Sequence, residues 1–252
     1  MRTIAITNQK GGCGKTTTAV NLAAAFAMSG RITLLVDLDP QGHATMGAGF
    51  DPEKMRKTVL DILKDPPISV EEIVLRTKFD RLDLIPSNVL LSGAEFHLRT
   101  MNEREYVLRN GLSNLNECYE ICIIDCSPSL NLLTINALVS SSEVIIPVQA
   151  HYYSLEGLKQ VITTVEIVQG EFNPELEILG ILLTFVDRRT KMSKQIQRQL
   201  REYFGEKVLN TVIHRNVRLA EAPSARTPIS TYAPKCEAAL EHKLLANEIE
   251  NA

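Results

Sequence analysis

Apolar residues in this chain gather into short continuous runs separated by polar and glycine-rich punctuation. Ile4-Ala5-Ile6, Ile32-Thr33-Leu34-Leu35-Val36, Ile121-Cys122-Ile123-Ile124, Val144-Ile145-Ile146-Pro147-Val148 and Leu179 to Phe185 are such runs. A short run without alternation fits a strand covered on both faces, as in a parallel sheet. Leu82-Asp83-Leu84-Ile85-Pro86 reads as another strand. Between the runs the period changes. Val20, Leu22, Ala23, Phe26 and Ala27 share one helical face, and Gly30 ends that helix. Residues 153–169 and 235–250 read as helices, and 103–115 as an amphipathic one. Strands alternating with helices predict an α/β fold, a doubly wound, mostly parallel sheet with helices on both faces. Residues 50–115 are the least informative; Asp65-Pro66-Pro67 breaks them between short helical patterns at 59–63 and 70–75. With no linker and no repeat, one domain over residues 1–252 is expected.

A chain of 252 residues can bury a core without metal or disulfide staples. Its net charge of −3 means that any nucleic-acid surface must come from local segregation of charge. Trp is absent and aromatics make up 5%, which argues against a stacking platform for single strands. Five cysteines, an odd number, read as reduced thiols in a cytoplasm. Cys118, Cys122 and Cys126 are spaced by four, but on a strand that separates them by about 13 Å per step, so they read as filler around a buried strand. No apolar stretch reaches the roughly 20 residues of a membrane span. The first strand begins within three residues, so neither a targeting segment nor a preceding DNA-binding domain is expected.

The chemistry concentrates after the first run, in Asn8-Gln9-Lys10-Gly11-Gly12-Cys13-Gly14-Lys15-Thr16-Thr17. Strand, glycine-rich turn and helix are the context of a phosphate-binding loop. Glycines let successive N–H groups converge on one anion, and the helix N-terminus adds its dipole. Lys15 is placed to reach β- and γ-phosphates and the Thr16 hydroxyl to ligate Mg²⁺. The standard pattern has glycine where Gln9 stands; here a second lysine, Lys10, precedes the Gly-Gly pair. Two later strands end in acids: Val36 is followed by Asp37-Leu38-Asp39-Pro40-Gln41-Gly42, and Ile124 by Asp125-Cys126-Ser127-Pro128. Acids at the C-terminal edge of an open α/β sheet lie where ligands bind, and Asp125 there can hold Mg²⁺ through a water.

The run Lys10-Gly-Gly-Cys-Gly-Lys15-Thr resembles the deviant Walker A loop of the ParA/MinD family of P-loop ATPases, and the whole chain is similar to its chromosomal, Soj-type ParA members. The resemblance implies ATP and Mg²⁺ as cofactors and ATP hydrolysis with slow intrinsic turnover. Residues 10–17 (Lys10, Gly11, Gly12, Cys13, Gly14, Lys15, Thr16, Thr17) would hold the nucleotide, with Pro223 near the base. Lys10, Lys15, Asp39 and Asp125 would be catalytic, and Thr16, Asp39 and Asp125 would lie around the metal. Asp39 would sit near the attacking water, and Lys10 would cross to the partner's phosphates in an ATP-dependent homodimer. His43 stands where relatives have Asn and reads as a variant surface residue.

A basic run, Arg188-Arg189-Thr190-Lys191-Met192-Ser193-Lys194 to Arg201, holds six cations before the first acid, Glu202. At about 100° per residue, Lys191, Lys194, Arg198 and Arg201 share a quadrant, while Met192, Ile196, Leu200 and Tyr203 face the other way as a packing side. A solvated surface helix accounts for this pattern; so does phosphate-backbone binding without base readout. His214-Arg215-Asn216-Val217-Arg218, before Leu219-Ala220-Glu221-Ala222-Pro223-Ser224, forms a second basic patch and is similar to the family's R-N-V-R-L-x-E-A-P-S. By that resemblance Arg189 and Arg218, with Lys191, Lys194 and Arg198, would bind non-specific DNA, and a ParB-type activator would act on a cytoplasmic, nucleoid-associated dimer. The C-terminal helix carries more acids than bases, unlike a membrane-targeting helix. Other cargo-positioning ATPases and an ATP-dependent metabolic enzyme, such as an amide-forming synthetase, share the loop and remain alternatives. An iron-sulfur relative would need a Cys-x-x-Cys pair, and a tyrosine kinase a C-terminal tyrosine cluster; neither is present.

Overall fold

The continuous apolar runs become a central sheet because each strand has a helix layer on both sides to bury it. The computed structural model describes residues 1–150 and 154–252, with no side-chain description at 154–156. The strands are β1 (Arg2–Ile6), β2 (Thr33–Leu38), β3 (Leu75–Arg76), β4 (Leu82–Ile85), β5 (Ile121–Cys126), β6 (Glu143–Gln149), β7 (Glu177–Val186) and β8 (Val208–His214). They lie in the order β3-β4-β2-β5-β1-β6-β7-β8. Among the described residues every strand pairing is parallel except β3 with β4.

The helices are α1 (Lys15–Met28), α2 (His43–Gly47), α3 (Ala94–Leu98), α4 (Val107–Leu112), α5 (Leu132–Val139), α6 (Ser154–Glu171), α7 (Lys191–Phe204), α8 (Val217–Glu221), α9 (Ile229–Tyr232) and α10 (Glu237–Glu250). Alternate residues of one strand feed opposite cores. Ile4, Ile6 and Leu35 pack with α1 and with Leu245 and Ile249 of α10. Ala5, Leu34 and Val36 pack with Leu108, Leu133, Val161, Ile196 and Leu200 on the other face. The doubly wound α/β expectation therefore holds. β1 sits between β5 and β6, so the crossovers from it and across it leave in opposite directions. That switch point opens a crevice at the C-terminal end of β1.

Several expected elements differ. The 103–115 helix shrinks to α4 and one 3-10 turn, Ser113–Leu115, because Glu103 takes a left-handed φ of 51° that interrupts the helix ahead of it. The patterns at 59–63 and 70–75 are 3-10 turns, Val59–Asp61 and Val70–Glu72, the second running into β3. α10 begins two residues later than expected. β8 was not foreseen at all: its sequence, Val-Leu-Asn-Thr-Val-Ile-His, breaks the apolar run with Asn210 and Thr211. The proposed helix start at Tyr153 lies outside the described residues. Cys122 and Cys126 are buried in β5 as filler, while Cys118 precedes the strand and is exposed.

β8 ends the sheet, paired only with β7. Side chains occupy its backbone. Arg201 donates to the carbonyls of Val208 (3.2 Å) and Leu209 (2.9 Å). Glu248 accepts from the Asn210 and Thr211 N–H groups (2.6 and 2.8 Å), and Glu241 accepts from that of His214 (3.1 Å).

Asn173 closes the opposite core. Its buried Nδ2 donates to the carbonyls of Leu138 (3.0 Å), Val139 (3.3 Å) and Ser141 (2.7 Å) at the end of α5. Replacing Asn173 by Ala takes that donor from the Val139 and Ser141 carbonyls, while Leu138 keeps the Ser141 N–H, so the variant should lose about 1–3 kcal/mol of stability in urea denaturation. A midpoint equal to that of the wild type would contradict this role.

Candidate functional site

The loop between β1 and α1 is tied down on one side by the strands beyond β1. Asn8, buried, donates from Nδ2 to the Pro147 carbonyl (2.6 Å) and accepts the Lys10 N–H on Oδ1 (3.0 Å). The Thr184 hydroxyl donates to the Cys13 carbonyl (2.8 Å). Between these anchors Gly12 and Gly14 take φ of 72° and 91°, where a side chain would strain the backbone. Gly14 is the N-cap of α1 and supplies no side-chain acceptor, so the first turn of the helix is left open to an anion. Lys15 is buried and its Nζ donates to the Lys10 carbonyl (3.1 Å). The Cys13 side chain is buried, and that burial pushes its thiol pKa up.

Two carboxylates meet beside the loop because β2 and β5 are in register, Asp37 opposite Asp125. Both are fully buried, yet their surroundings differ. Asp37 accepts from the Thr45 N–H and hydroxyl (2.7 Å each) and from the Asp39 N–H (3.2 Å). Among the described residues neither Asp125 oxygen has a hydrogen-bond partner. Burial pushes the Asp125 pKa well up, and the neighbouring charge of Asp37 adds to this; the Thr16 hydroxyl is close enough to draw it back. Asp37 is pushed up to about 6, again by burial, with Thr45 opposing. An unpartnered buried carboxylate beside a hydroxyl suits a hydrated divalent cation, and the nearby Lys15 ammonium suits an anion. Asp39, nearly buried, accepts the Gln41 N–H (2.9 Å), and its carbonyl takes the Ser87 hydroxyl (2.8 Å). Thr45 and Ser87 carried no sequence signal, since isolated hydroxyls are common; only the fold brings them to the acids.

Two cavities flank α8 and share Thr17 and Leu219. One, about 280 Å³, is lined by residues including Thr16, His43, Pro223 and Thr227. The other, about 350 Å³, is lined by residues including Gly14, Thr184, Phe185 and Asn216. Pro223 is thus brought next to the loop. His43 is exposed as expected but also borders the first cavity. Phe185 was missed. It takes a left-handed φ of 52°, and its ring lies 3.4 Å from where a Cβ on Gly14 would stand. Nothing in an apolar strand sequence marks such a residue.

The basic residues follow β7 and β8, whose ends are held together by the Val186–His214 pairing. Lys191 and Lys194 are exposed. Arg189 is bound by Asp187 (3.2 Å), Arg198 lies 3.5 Å from Glu202, and Arg218 is bound by Glu221 (3.0 Å). Two features of α7 depart from the helical-wheel expectation. Arg201 is turned to the β8 carbonyls and leaves the stripe. Met192 (58% exposed) and Tyr203 (68%) are not on the packed face. That face centres on Ser193, Ile196 and Leu200, and both residues lie roughly 55–75° from its axis.

Residues 1–178 match a family model described as an AAA domain. The sporulation initiation inhibitor protein Soj of Bacillus subtilis is 49% identical over 246 residues, 98% of this chain and 97% of that one. The chain belongs to the ParA/MinD family, in its Soj-type branch. The chromosome partitioning protein ParA of Caulobacter vibrioides is 43% identical over 251 residues, 99% of this chain and 94% of that one. A solved structure of cobyrinic acid a,c-diamide synthase from Mycobacterium smegmatis, with bound ADP and magnesium, superimposes with a TM-score of 0.87 at 34% identity, covering 98% of this chain and 93% of that one. The Soj-type relatives are therefore chromosome-partitioning ATPases, and the P-loop fold is shared with an amide-forming synthase.

The acid pair has a consequence for pH. Its raised pKa values mean that the folded protein keeps a proton that the unfolded chain has lost. The contribution of the pair to stability is therefore fullest at low pH and falls as pH rises above the ordinary carboxylate range, through about 6 for Asp37. A cation taken up at Asp125 would displace a proton held there. Calorimetry of Mg²⁺-nucleotide binding in buffers of differing ionisation enthalpy should show proton release on binding, with affinity rising as pH rises. The variant Asp125→Asn should lose both effects; a wild type with no proton release would refute the assignment.

Proposed function

We propose that this chain is an ATP-driven dimerising switch that binds DNA without sequence preference in its ATP state and acts with a ParB-type partner in chromosome or plasmid partitioning, at the nucleoid of a bacterial cytoplasm. Supporting it is the conjunction of an open glycine loop beside an unpartnered buried carboxylate with full-length similarity to Soj and ParA. Among the described residues no helix is long and apolar enough to cross a membrane.

In this reading residues 10–17 cradle the triphosphate. Lys15 would leave the Lys10 carbonyl for the β- and γ-phosphates, and Thr16 and Asp125, with Asp39 nearby, would hold Mg²⁺. When bound, Mg²⁺ neutralises charge on the phosphate oxygens and fixes their orientation. Asp39, held by Ser87 and Gln41, orients the attacking water. Pro223, with the cavity walls at Phe185 and Thr227, encloses the nucleoside. Lys10 is half-buried and its side chain makes no hydrogen bond among the described residues, so it can extend to a second subunit's phosphates. A cation supplied this way is worth about 10³ to 10⁵ in rate in other phosphoryl-transfer systems. Turnover is slow until an activator completes the site, so that the bound state persists. The dimer aligns two copies of Arg189, Lys191, Lys194, Arg198 and Arg218.

The likeness to an amide-forming synthase favours one alternative, ATP-dependent activation of a small acid at the same loop. DNA separates the two. Fluorescence anisotropy on a random-sequence duplex, with no nucleotide, ADP or ATP over a salt series, should show binding only with ATP. The log K should fall linearly with log salt, at about 0.9 per neutralised phosphate. Indifference to DNA in every state would move the assignment to the small substrate. Lys10→Ala should bind nucleotide as a monomer within about threefold of wild type and fail to dimerise with ATP in analytical ultracentrifugation. Dimerisation of that variant would remove the trans role of Lys10.

A further inference from the structure

The basic surface carries its own anions. Arg189 Nε and Nη2 each lie 3.2 Å from an Asp187 oxygen, a two-pronged pair. Arg218 Nη1 lies 3.0 Å from Glu221 Oε2. In both pairs the acid is the fixed member. The Asp187 side chain is 24% exposed against 87% for Arg189. The Asp187 backbone is held through its N–H to Ser193 Oγ and its carbonyl to Thr190 (3.3 Å each). Glu221 is held by the Tyr232 hydroxyl at 3.2 Å. The arginines, 87% and 58% exposed, are the freer members; the carboxylates, 24% and 41% exposed, each accept a further hydrogen bond, from the Arg189 N–H and the Tyr232 hydroxyl. Arg215 is exposed, with its N–H on the Val186 carbonyl (3.0 Å), and its charge adds to that of Arg189 in holding the Asp187 carboxyl below its usual range.

Guanidinium binds carboxylate and phosphate through the same fork of N–H groups. Resting on the DNA reading above, we propose that Asp187 and Glu221 are exchangeable stand-ins for DNA phosphates, so that docking on the duplex trades these internal carboxylates for backbone phosphates at Arg189 and Arg218. Lys191, Lys194 and Arg215 have no carboxylate in ion-pair contact among the described residues, and they make the first contacts. Exposed ion pairs are weak and salt-screened, so the exchange runs close to balance and raises the threshold for binding without blocking it. One subunit stays below that threshold, and two surfaces acting together cross it.

Arg188 lies outside this exchange. Its Nη2 meets Glu237 at 2.7 Å and its Nε donates to His214 Nε2 at 2.9 Å. Because guanidinium only donates, His214 must accept on Nε2 and donate from Nδ1 to Glu241 (2.5 Å). His214, Glu237 and Glu241 converge as metal ligands could, but Arg188 already supplies the positive charge there.

The test is DNA anisotropy on Asp187→Asn, Glu221→Gln and the double variant, with Glu206→Gln as a charge-matched control at an exposed acid without an ion pair. Asn keeps an acceptor for the Arg189 N–H, and Gln keeps one for Tyr232, so the local fold is preserved. Each substitution should tighten DNA binding about two- to fivefold, the double variant about four- to twentyfold, and the control less than 1.5-fold. The gain from Asp187→Asn should vanish in an Arg189→Ala background. Gains equal to the control, or persisting without Arg189, would overturn the exchange while leaving DNA binding intact. A wild type that ignores DNA in the ATP state would remove the DNA reading and the exchange with it.

Discussion

The site depends on β1 being paired on both edges. Because β5 lies on one side and β6 on the other, the loop that leaves β1 has a buried acid from one neighbour and hydrogen-bond anchors from the other and from β7 beyond it. Asn8 on Pro147 and Thr184 on Cys13 hold the glycines in conformations that they would not keep alone. On the far side the β2–β5 register fixes Asp37 against Asp125. The anchoring of the loop does not survive a one-residue slip of β1, which would also exchange the residues feeding its two cores.

The asymmetry between those acids is where stability gives way to chemistry. Asp37 has every bond it needs and shapes the turn through Thr45 and Asp39. Asp125 has none, in a protein interior where such groups are rare. A buried carboxylate left without a partner is costly, and the cost falls away when a cation and a polyphosphate arrive. The same logic applies to Lys15, which rests on the Lys10 carbonyl until a better acceptor appears.

Much of this was readable beforehand, for identifiable reasons. The parallel sheet announced itself through unbroken apolar runs, and the loop through glycines, lysine and threonine in one window. The acids at positions 37, 39 and 125 stood out because each ends such a run. Pairing geometry was not readable: that Asp37 faces Asp125, that Arg201 turns inward and that Phe185 adopts a left-handed backbone all follow from contacts distant in sequence. β8 escaped because Asn210 and Thr211 interrupt its apolar pattern; Glu248, from the last helix, takes their N–H groups. The short region of 3-10 turns at 59–72 mimicked helices because one turn of either shares the same spacing of apolar residues.

The dressing of β8 bears on how these molecules can gather. A bare final strand is a template on which another chain can lay a strand of its own, and growth of that kind has no natural end. Here Arg201, Glu241 and Glu248 take up the groups that such a visitor would need, and at the other margin β3 is two residues long. An edge dressed in this way does not invite copies of the protein to knit into a continuous ribbon. On the dimerising reading proposed above, their encounters are left to surfaces that close on a fixed number of copies and come apart again.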